Sequence, residues 1–102
     1  MPSFSVTTTA RTALFAGSVD LQSLSFKNSS ATGTIYLKNL ANSTDTVSSS
    51  SYDHSLSPGQ SIGFTRNADG AGVMECAWSA ISDTGGGVTL DILAIYVSTR
   101  VH

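Results

Sequence analysis

The side chains able to do acid–base or metal chemistry are few and scattered. The chain has seven acidic residues, two histidines and one cysteine among 102 residues. Catalysis or metal binding needs several such groups converging in one place. The closest approach to a cluster, Asp53-His54, places neighbouring side chains on opposite faces of a predicted strand, and most other aspartates fall in predicted turns, where Asp commonly bonds the backbone. The sequence therefore predicts no catalytic residue, no cofactor and no metal site.

Two further patterns match reactive sites only in part. Cys76 has no second cysteine with which to form a disulfide, and neither histidine lies in a pattern that supports a nucleophilic role for it. Gly85-Gly86-Gly87 follows a predicted strand but lacks the Lys-Ser/Thr ending and the helix of a phosphate-binding loop. We interpret Cys76 as a small nonpolar residue of a buried strand and the glycines as a hairpin link.

Composition favours a structural or binding role over an enzymatic one. Only 12% of the residues are charged, the net charge is −2, and serine and threonine make up 30 of the 102 residues. This balance gives no basic surface for nucleic acid, and the longest strongly nonpolar run, residues 92–97, is too short to cross a bilayer. Residues 1–5 lack the features of a secretory signal. We expect neither nucleic acid nor a membrane as partner.

Alternation of polar and nonpolar residues dominates the chain and predicts short strands. Leu21–Asn28 and Thr34–Lys38 are the clearest, with Tyr36 and Lys38 facing outward in the second. Because a short segment rich in turn residues joins them, we expect these two strands to form a hairpin. Residues 39–51 are polar and end in four serines, which predicts a long exposed loop.

Two signals follow in the second half of the chain. Pro58 presets φ for a turn, and Gly59 tolerates the positive φ that a type II turn requires next. Beyond it, Met74, Cys76, Trp78 and Ala80 alternate, which predicts a strand near residues 74–81 with these side chains facing inward and Glu75 outward.

Seven to nine short strands with frequent turn signals predict an all-β protein. We expect a single-domain antiparallel β-sandwich, either jelly-roll-like or a small barrel. Residues 1–18 would form an N-terminal strand or arm, and residues 19–102 the sandwich body.

The order of three short motifs carries a resemblance. An Arg-containing strand is followed by Leu24-Ser25-Phe26-Lys27-Asn28, Ile35-Tyr36-Leu37 and Leu56-Ser57-Pro58-Gly59-Gln60-Ser61-Ile62. Over about residues 19–97 the chain resembles small β-sandwich head decoration (cement) and accessory virion proteins of tailed bacteriophages, with Asn28, Tyr36, Pro58 and Gly59 as markers of the fold. The resemblance implies a non-enzymatic protein of the capsid surface, made in the host bacterial cytoplasm, that bridges major capsid subunits as a homotrimer.

Five residues are candidates for contacts with the capsid protein or with other copies. Phe4 and Val6 lie in a segment that could add to the open sheet edge of a neighbour, or equally form an ordinary first strand of the same subunit. Tyr36, Tyr52 and Tyr96 are candidates because aromatic residues are enriched in interface cores.

A carbohydrate-binding module or lectin is the main alternative, with an exposed Trp and Tyr beside Asn and Asp as its sugar platform. Trp78 is the only tryptophan, and its register with Met74 and Cys76 favours a core position, which argues against such a platform. A phage tail or head-fibre accessory protein, or a structural domain of a pilus or secretion device, is a further alternative.

Overall fold

The computed structural model describes residues 3–40, 46–83 and 88–96, which form eight strands and two short helices. In chain order these elements are β1 (Ser3–Val6), β2 (Arg11–Phe15), β3 (Leu21–Asn28), β4 (Ile35–Asn39), β5 (His54–Leu56), β6 (Ser61–Thr65), α1 (Arg66–Asp69), α2 (Ala71–Glu75), β7 (Trp78–Ser82) and β8 (Val88–Tyr96). Within these ranges no helix is long and nonpolar enough to cross a membrane. The glycine link predicted at residues 85–87 lies outside the described residues.

The strands form two four-stranded antiparallel sheets. Sheet A has the order β1-β8-β3-β6, and sheet B has the order β2-β7-β4-β5. β1 pairs with β8, β2 with β7, β3 with β6 and β4 with β5, and successive pairs lie alternately in sheet A and sheet B. A single antiparallel ribbon is thereby wrapped around one core, which is the strand order of a jelly roll. The predicted all-β antiparallel sandwich is confirmed, in its jelly-roll form.

The space between the sheets is filled by nonpolar side chains. Phe26 of β3 packs against Trp78 of β7 with ring centroids 5.0 Å apart, and Phe64 of β6 lies 5.3 Å from the same indole. The buried indole nitrogen donates a hydrogen bond to the Val73 carbonyl at 3.1 Å. The predicted core position of Trp78 is confirmed. The buried interior cluster comprises Val6, Leu14, Leu21, Leu24, Phe26, Ile35, Leu37, Leu56, Phe64, Met74, Trp78, Ala80, Val88, Leu90 and Ile92.

The predicted hairpin of the third and fourth strands is wrong, because β3 belongs to sheet A and β4 to sheet B. Asn28, at the end of β3, holds the connection that crosses between the sheets. Its amide nitrogen donates to the carbonyls of Gly33 and Leu56 at 2.8 and 3.0 Å, and its side-chain oxygen accepts from the Ser30 amide. Alternation determines which face of each strand is buried. A strand with one buried face satisfies that pattern in either sheet of a sandwich, so the pattern does not decide which strands pair.

The strand predicted near residues 74–81 begins only at Trp78, because Ala71–Glu75 forms helix α2. Met74 and Trp78 are four residues apart, a spacing that suits one face of a helix as well as one face of a strand. Met74 therefore still reaches the core, now from a helix. The prediction that Cys76 lies in a buried strand is wrong as well, since Cys76 follows α2 at a bend and is partly exposed.

Arg66 fixes the helical insert to the sandwich. Its guanidinium donates to the carbonyls of Leu21, Ser18 and Val19 at 2.9 to 3.0 Å. It also forms an ion pair with Glu75 at 2.6 Å. One side chain thus ties the start of α1, the end of α2 and the connection between β2 and β3, which explains why these residues leave the strand pattern.

Gly17 lies where the β2–β3 connection presses against the end of α2. Its φ is +53°, and a Cβ atom there would lie 2.7 Å from the Met74 carbonyl oxygen and 2.8 Å from that of Cys76. The neighbouring Ser18 amide donates to the Met74 carbonyl at 2.8 Å. Only glycine combines this φ with so close an approach of two backbones.

The N-terminal segment belongs to both sheets. β1 pairs with β8 in the register Ser3↔Asp91 to Val6↔Val88, and β2 pairs with β7. Within the described part of residues 1–18, the chain therefore contributes one edge strand to each sheet of the same molecule.

Candidate interaction surfaces

Three acidic side chains of the described residues accept hydrogen bonds from backbone amides in different parts of the fold. Asp53 accepts from the Asn39 amide at 2.7 Å, Asp69 from the Thr65 amide and Asp83 from the Thr34 amide, both at 2.8 Å. The described ranges contain no group of three or more His, Cys, Asp or Glu side chains placed to hold a metal ion. These three carboxylates order turns and strand ends.

Asp53 and His54 have separate surroundings. The His54 ring lies 5.1 Å from the Phe64 ring and 6.2 Å from Trp78, at the edge of the aromatic cluster of the core. Asp53 instead points its carboxylate at the Asn39 amide of the neighbouring strand. His54 therefore packs against the core, whereas Asp53 accepts a hydrogen bond from the backbone.

Two tyrosines form an aromatic surface on the outer face of sheet B. The Tyr36 and Tyr52 rings lie 4.9 Å apart and are tilted by 50°. Tyr36 lies on β4, between Ser55 of β5 and Ile81 of β7 in the ladder. Tyr52 comes from the loop before β5 and is 43% exposed. We call Tyr36, Tyr52, Ser55 and Ile81 the tyrosine surface.

Residues 46–53 lie against sheet B and position Tyr52. Lys38 of β4 is only 5% exposed, and its ammonium group donates to the Ser51 hydroxyl at 2.9 Å. Val47 is buried although it lies outside the interior cluster, and the Asp53 amide donates to the Leu37 carbonyl. Lys38 does lie on the predicted outer face but is covered there. This part of the predicted exposed loop packs on the sheet, whereas residues 41–45 lie outside the described ranges.

A second nonpolar surface lies at the end of β8, on sheet A. The outward positions of this strand begin with Thr89 and Asp91 and continue with Leu93 and Ile95, which are 43% and 52% exposed. Tyr96 is also 52% exposed, but it pairs with the buried Leu21 and lies on the opposite face of the strand from Leu93 and Ile95. We call Leu93 and Ile95 the β8 patch.

A groove of about 460 Å³ runs beside the β8 patch on the outer face of sheet A. In the ladder Ser25 lies between Gly63 and Leu93, so small side chains flank a large nonpolar one. In the next row Lys27 lies opposite Asp91. The groove is lined by Ser25, Phe26, Lys27, Ser61, Ile62, Gly63, Asp91 and Leu93.

The five predicted contact residues are distributed over the core, the tyrosine surface and the end of β8. Val6 is fully buried in the core, and Phe4 is half-buried and packs against it, so in this arrangement Val6 offers no surface to a partner. Tyr36 and Tyr52 come together in the tyrosine surface, and Tyr96 is exposed at the end of β8, on the opposite face of the strand from the β8 patch.

Of the four fold markers, three meet at one corner. The Gly59 amide donates to the Asn28 carbonyl at 2.7 Å, and the Gln60 amide closes the predicted turn on the Ser57 carbonyl at 2.9 Å. Gly59 has a φ of +81°, as the Pro58-Gly59 prediction requires. The turn is confirmed and joins the β5–β6 connection to the end of β3, whereas Tyr36 lies on the outer face of sheet B.

Sequence reasoning missed Leu93 and Ile95. The run Ile92-Leu93-Ala94-Ile95-Tyr96 is nonpolar throughout and is typical of a strand buried on both faces. One signal was present: alternation puts Leu93 and Ile95 on the same face as Thr89 and Asp91, which begins as a solvent-facing surface. Nonpolar residues that continue a polar face mark a surface that the described residues leave exposed.

Comparison with protein-family models, curated proteins and solved structures finds no match to this chain.

Proposed function

We propose that this protein is a capsid decoration protein of a tailed bacteriophage, which stabilises the head by bridging major capsid subunits as a homo-oligomer. The observation that carries the proposal is that exposed nonpolar or aromatic side chains occur on both outer faces of one small sandwich, Tyr52 on one face and Leu93 with Ile95 on the other. The tyrosine surface lies on sheet B and the β8 patch on sheet A. A bridging subunit needs two contact surfaces, and exposed nonpolar patches mark protein interaction sites.

The body between the two surfaces suits a mechanical role. Fifteen buried residues form one continuous cluster between the sheets, and a close-packed interior transmits strain with little deformation. The jelly roll is an architecture shared with viral capsid and lectin domains, which supports the proposal as an analogy of fold only. The resemblance of the sequence motifs to phage decoration proteins supports the same class and implies a trimer.

The mechanism is an addition of buried surface across subunit boundaries. A subunit this small binds weakly at one contact, but linked contacts in an oligomer raise the overall affinity by about 100-fold or more without new chemistry. Pressure from the packaged genome must then break these added contacts before neighbouring capsid subunits separate.

The test is binding of the purified protein to empty expanded phage heads, measured by co-sedimentation. We expect saturable binding at a fixed number of copies per shell. A variant with Tyr36→Ser and Tyr52→Ser should bind at least tenfold more weakly, because aromatic anchors carry much of the energy of an interface. Asn67→Ala, at an exposed position of helix α1 outside both surfaces, is the control and should bind like wild type. Wild-type protein that does not bind heads would remove the proposal.

A carbohydrate-binding role is the second candidate, favoured by the position of Tyr52 beside Tyr36 and the exposed Ser55. An aromatic face with neighbouring hydroxyls can hold a sugar ring. The predicted platform built on Trp78 is ruled out because that side chain is buried, so the tyrosines alone would serve. Calorimetric titration with oligosaccharides separates the two functions: heat of binding that is lost in the double tyrosine variant, together with no head binding, favours the sugar.

A further inference from the structure

We infer that the outer face of sheet A at β8 is where a second copy of this chain docks, face to face, about a two-fold axis. The inference rests on the proposed function in one respect, since it assigns the self-contact of the oligomer to a particular surface. It also departs from the resemblance, because a face that meets its own copy pairs subunits and so favours a dimer over a trimer.

Exposed nonpolar side chains lie together at one end of this face. Of the five exposed large nonpolar residues of the described ranges, Leu93 and Ile95 occupy successive outward positions of β8. The rest of this face carries small or polar side chains, such as Ser23, Ser25 and Gly63. Nonpolar residues gathered at one end of an otherwise polar face lose contact with water when another surface covers them.

The charges on this face are balanced. The face presents Lys27 and Asp91 opposite each other in one row of the ladder, and the neighbouring rows hold uncharged residues. When two identical faces meet about a two-fold axis that lies in the interface, parallel to the strands and between these residues, Lys27 of each copy approaches Asp91 of the other. No like charges are brought together, so the face is electrostatically complementary to itself. A strongly acidic or basic partner finds no net charge here to recognise.

The shape of this face also suits contact with its own copy. The groove of about 460 Å³ runs directly beside Leu93 and has Ser25 and Gly63 along its length. A protruding nonpolar side chain and a groove bordered by small residues therefore lie on the same face. Under two-fold symmetry, Leu93 of one copy enters the groove of the other and the reverse contact forms at the same time. Stacked sheets pack about 10 Å apart, a distance that leaves room for such interdigitation.

The size of the face sets the expected strength. Four strands about 4.8 Å apart and up to nine residues long, at about 3.3 Å per residue, give a face of roughly 19 by 30 Å. That is somewhat below the approximately 800 Å² per partner of a standard interface. We therefore expect an association in the micromolar range in free solution, which the shell would strengthen by holding copies close together.

The test begins with the mass in solution, measured by light scattering from 1 to 200 μM. Wild type should approach twice the monomer mass at the upper end. The variant Leu93→Ser/Ile95→Ser should raise the dissociation constant at least tenfold, whereas Tyr52→Ser, at a residue as exposed as Leu93 but on the opposite face, should associate like wild type. Circular dichroism and thermal melting confirm that each variant is folded.

A charge exchange tests the geometry itself. Lys27→Glu leaves two acidic groups on the face, and Asp91→Lys leaves two basic ones, so each variant alone should remain monomeric. An equimolar mixture of the two should form a heterodimer, because each acidic face then meets a basic one. This recovery cannot come from contacts within one chain.

The inference is overturned by wild type that stays monomeric at 200 μM, by a trimer, or by self-association that the Leu93→Ser/Ile95→Ser variant retains. Failure here is distinct from failure of the proposed function. Protein that binds heads as a monomer would support the decoration role and contradict the self-docking face. Protein that forms dimers but does not bind heads would support the self-docking face and contradict the decoration role.

Discussion

Replacing Gly17 by alanine should destabilise the protein more than the same replacement at Gly59 or Gly63. An L-residue at a φ of +53° costs about 1–2 kcal/mol. The added Cβ would also lie 2.7 Å from the Met74 carbonyl oxygen and 2.8 Å from that of Cys76. Because both neighbours are backbone atoms, either the β2–β3 connection or α2 must move, which costs about 1–3 kcal/mol more. We expect Gly17→Ala to lower the free energy of unfolding by about 2–5 kcal/mol.

Two other glycines separate the contributions of φ and of crowding. Gly59 has a φ of +81° but no atom within 4 Å of a built Cβ, and Gly63 has ordinary strand geometry with its nearest contact, the Ser25 Cβ, at 3.8 Å. Gly59→Ala should therefore cost about 1 kcal/mol, and Gly63→Ala should be neutral or stabilising by about 0.5 kcal/mol, because alanine loses less entropy on folding.

Urea unfolding followed by circular dichroism measures all three variants on one scale. With a slope of about 1.5 kcal/mol per molar, the midpoint of Gly17→Ala should fall by about 1.5 M or more, that of Gly59→Ala by well under 1 M, and that of Gly63→Ala should stay or rise. If Gly17→Ala is no less stable than Gly59→Ala, the close backbone contact between the β2–β3 connection and α2 does not exist.

Three further predictions address the crossing, the helical insert and the core. Asn28→Ala should cost about 2–3 kcal/mol in urea unfolding, because it removes the hydrogen bonds to the Leu56 carbonyl, which is buried, and to the Gly33 carbonyl, which is partly buried. A loss below about 1 kcal/mol would contradict this role of Asn28. Arg66→Met should cost about 2 kcal/mol, because three hydrogen bonds to backbone carbonyls are lost. Glu75→Gln should cost less than about 1 kcal/mol, because its ion pair with Arg66 is partly exposed. Equal losses in the two variants would contradict this ranking. Trp78 should emit at short wavelength and resist quenching by acrylamide, and an emission shifted by added sugar would contradict its burial.

Alternation in the sequence is sufficient to predict the class of fold and much of its core. Period two alone places Leu24 and Phe26 of β3, and Leu37 of β4, inward, and all three are buried. The Pro58-Gly59 turn is also predictable, because its conformation depends on two residues whose allowed φ values are known in advance.

The pairing of strands is not predictable in the same way. A strand with one buried face satisfies its pattern in either sheet of a sandwich, so the segment after Asn28 could turn back or cross over equally well. Its crossing depends on buried bonds from the Asn28 amide to carbonyls 5 and 28 residues away. Contacts of that range leave no local signature in the sequence.

The helix at residues 71–75 and the β8 patch escape sequence reasoning for different reasons. Met74 and Trp78 fit both a helical and a strand period, and the deciding contact comes from Arg66, eight residues before Met74. The exposure of Leu93 is not predicted, because a nonpolar run favours burial and the exposure depends on what covers the outer face of sheet A. In both cases tertiary contacts override local preference.

The central claim is that the two outer faces, rather than the interior, make this protein's contacts. Hydroxyl-radical footprinting of the protein, free and bound to empty phage heads, tests it directly, because tyrosine, leucine and isoleucine side chains are labelled when solvent reaches them. We predict that Tyr52, Leu93 and Ile95 lose labelling on bound shells while Val73, in α2, does not. Labelling of Tyr52 and Leu93 that is unchanged on saturated shells, or protection confined to Val73 and its neighbours, would contradict the account.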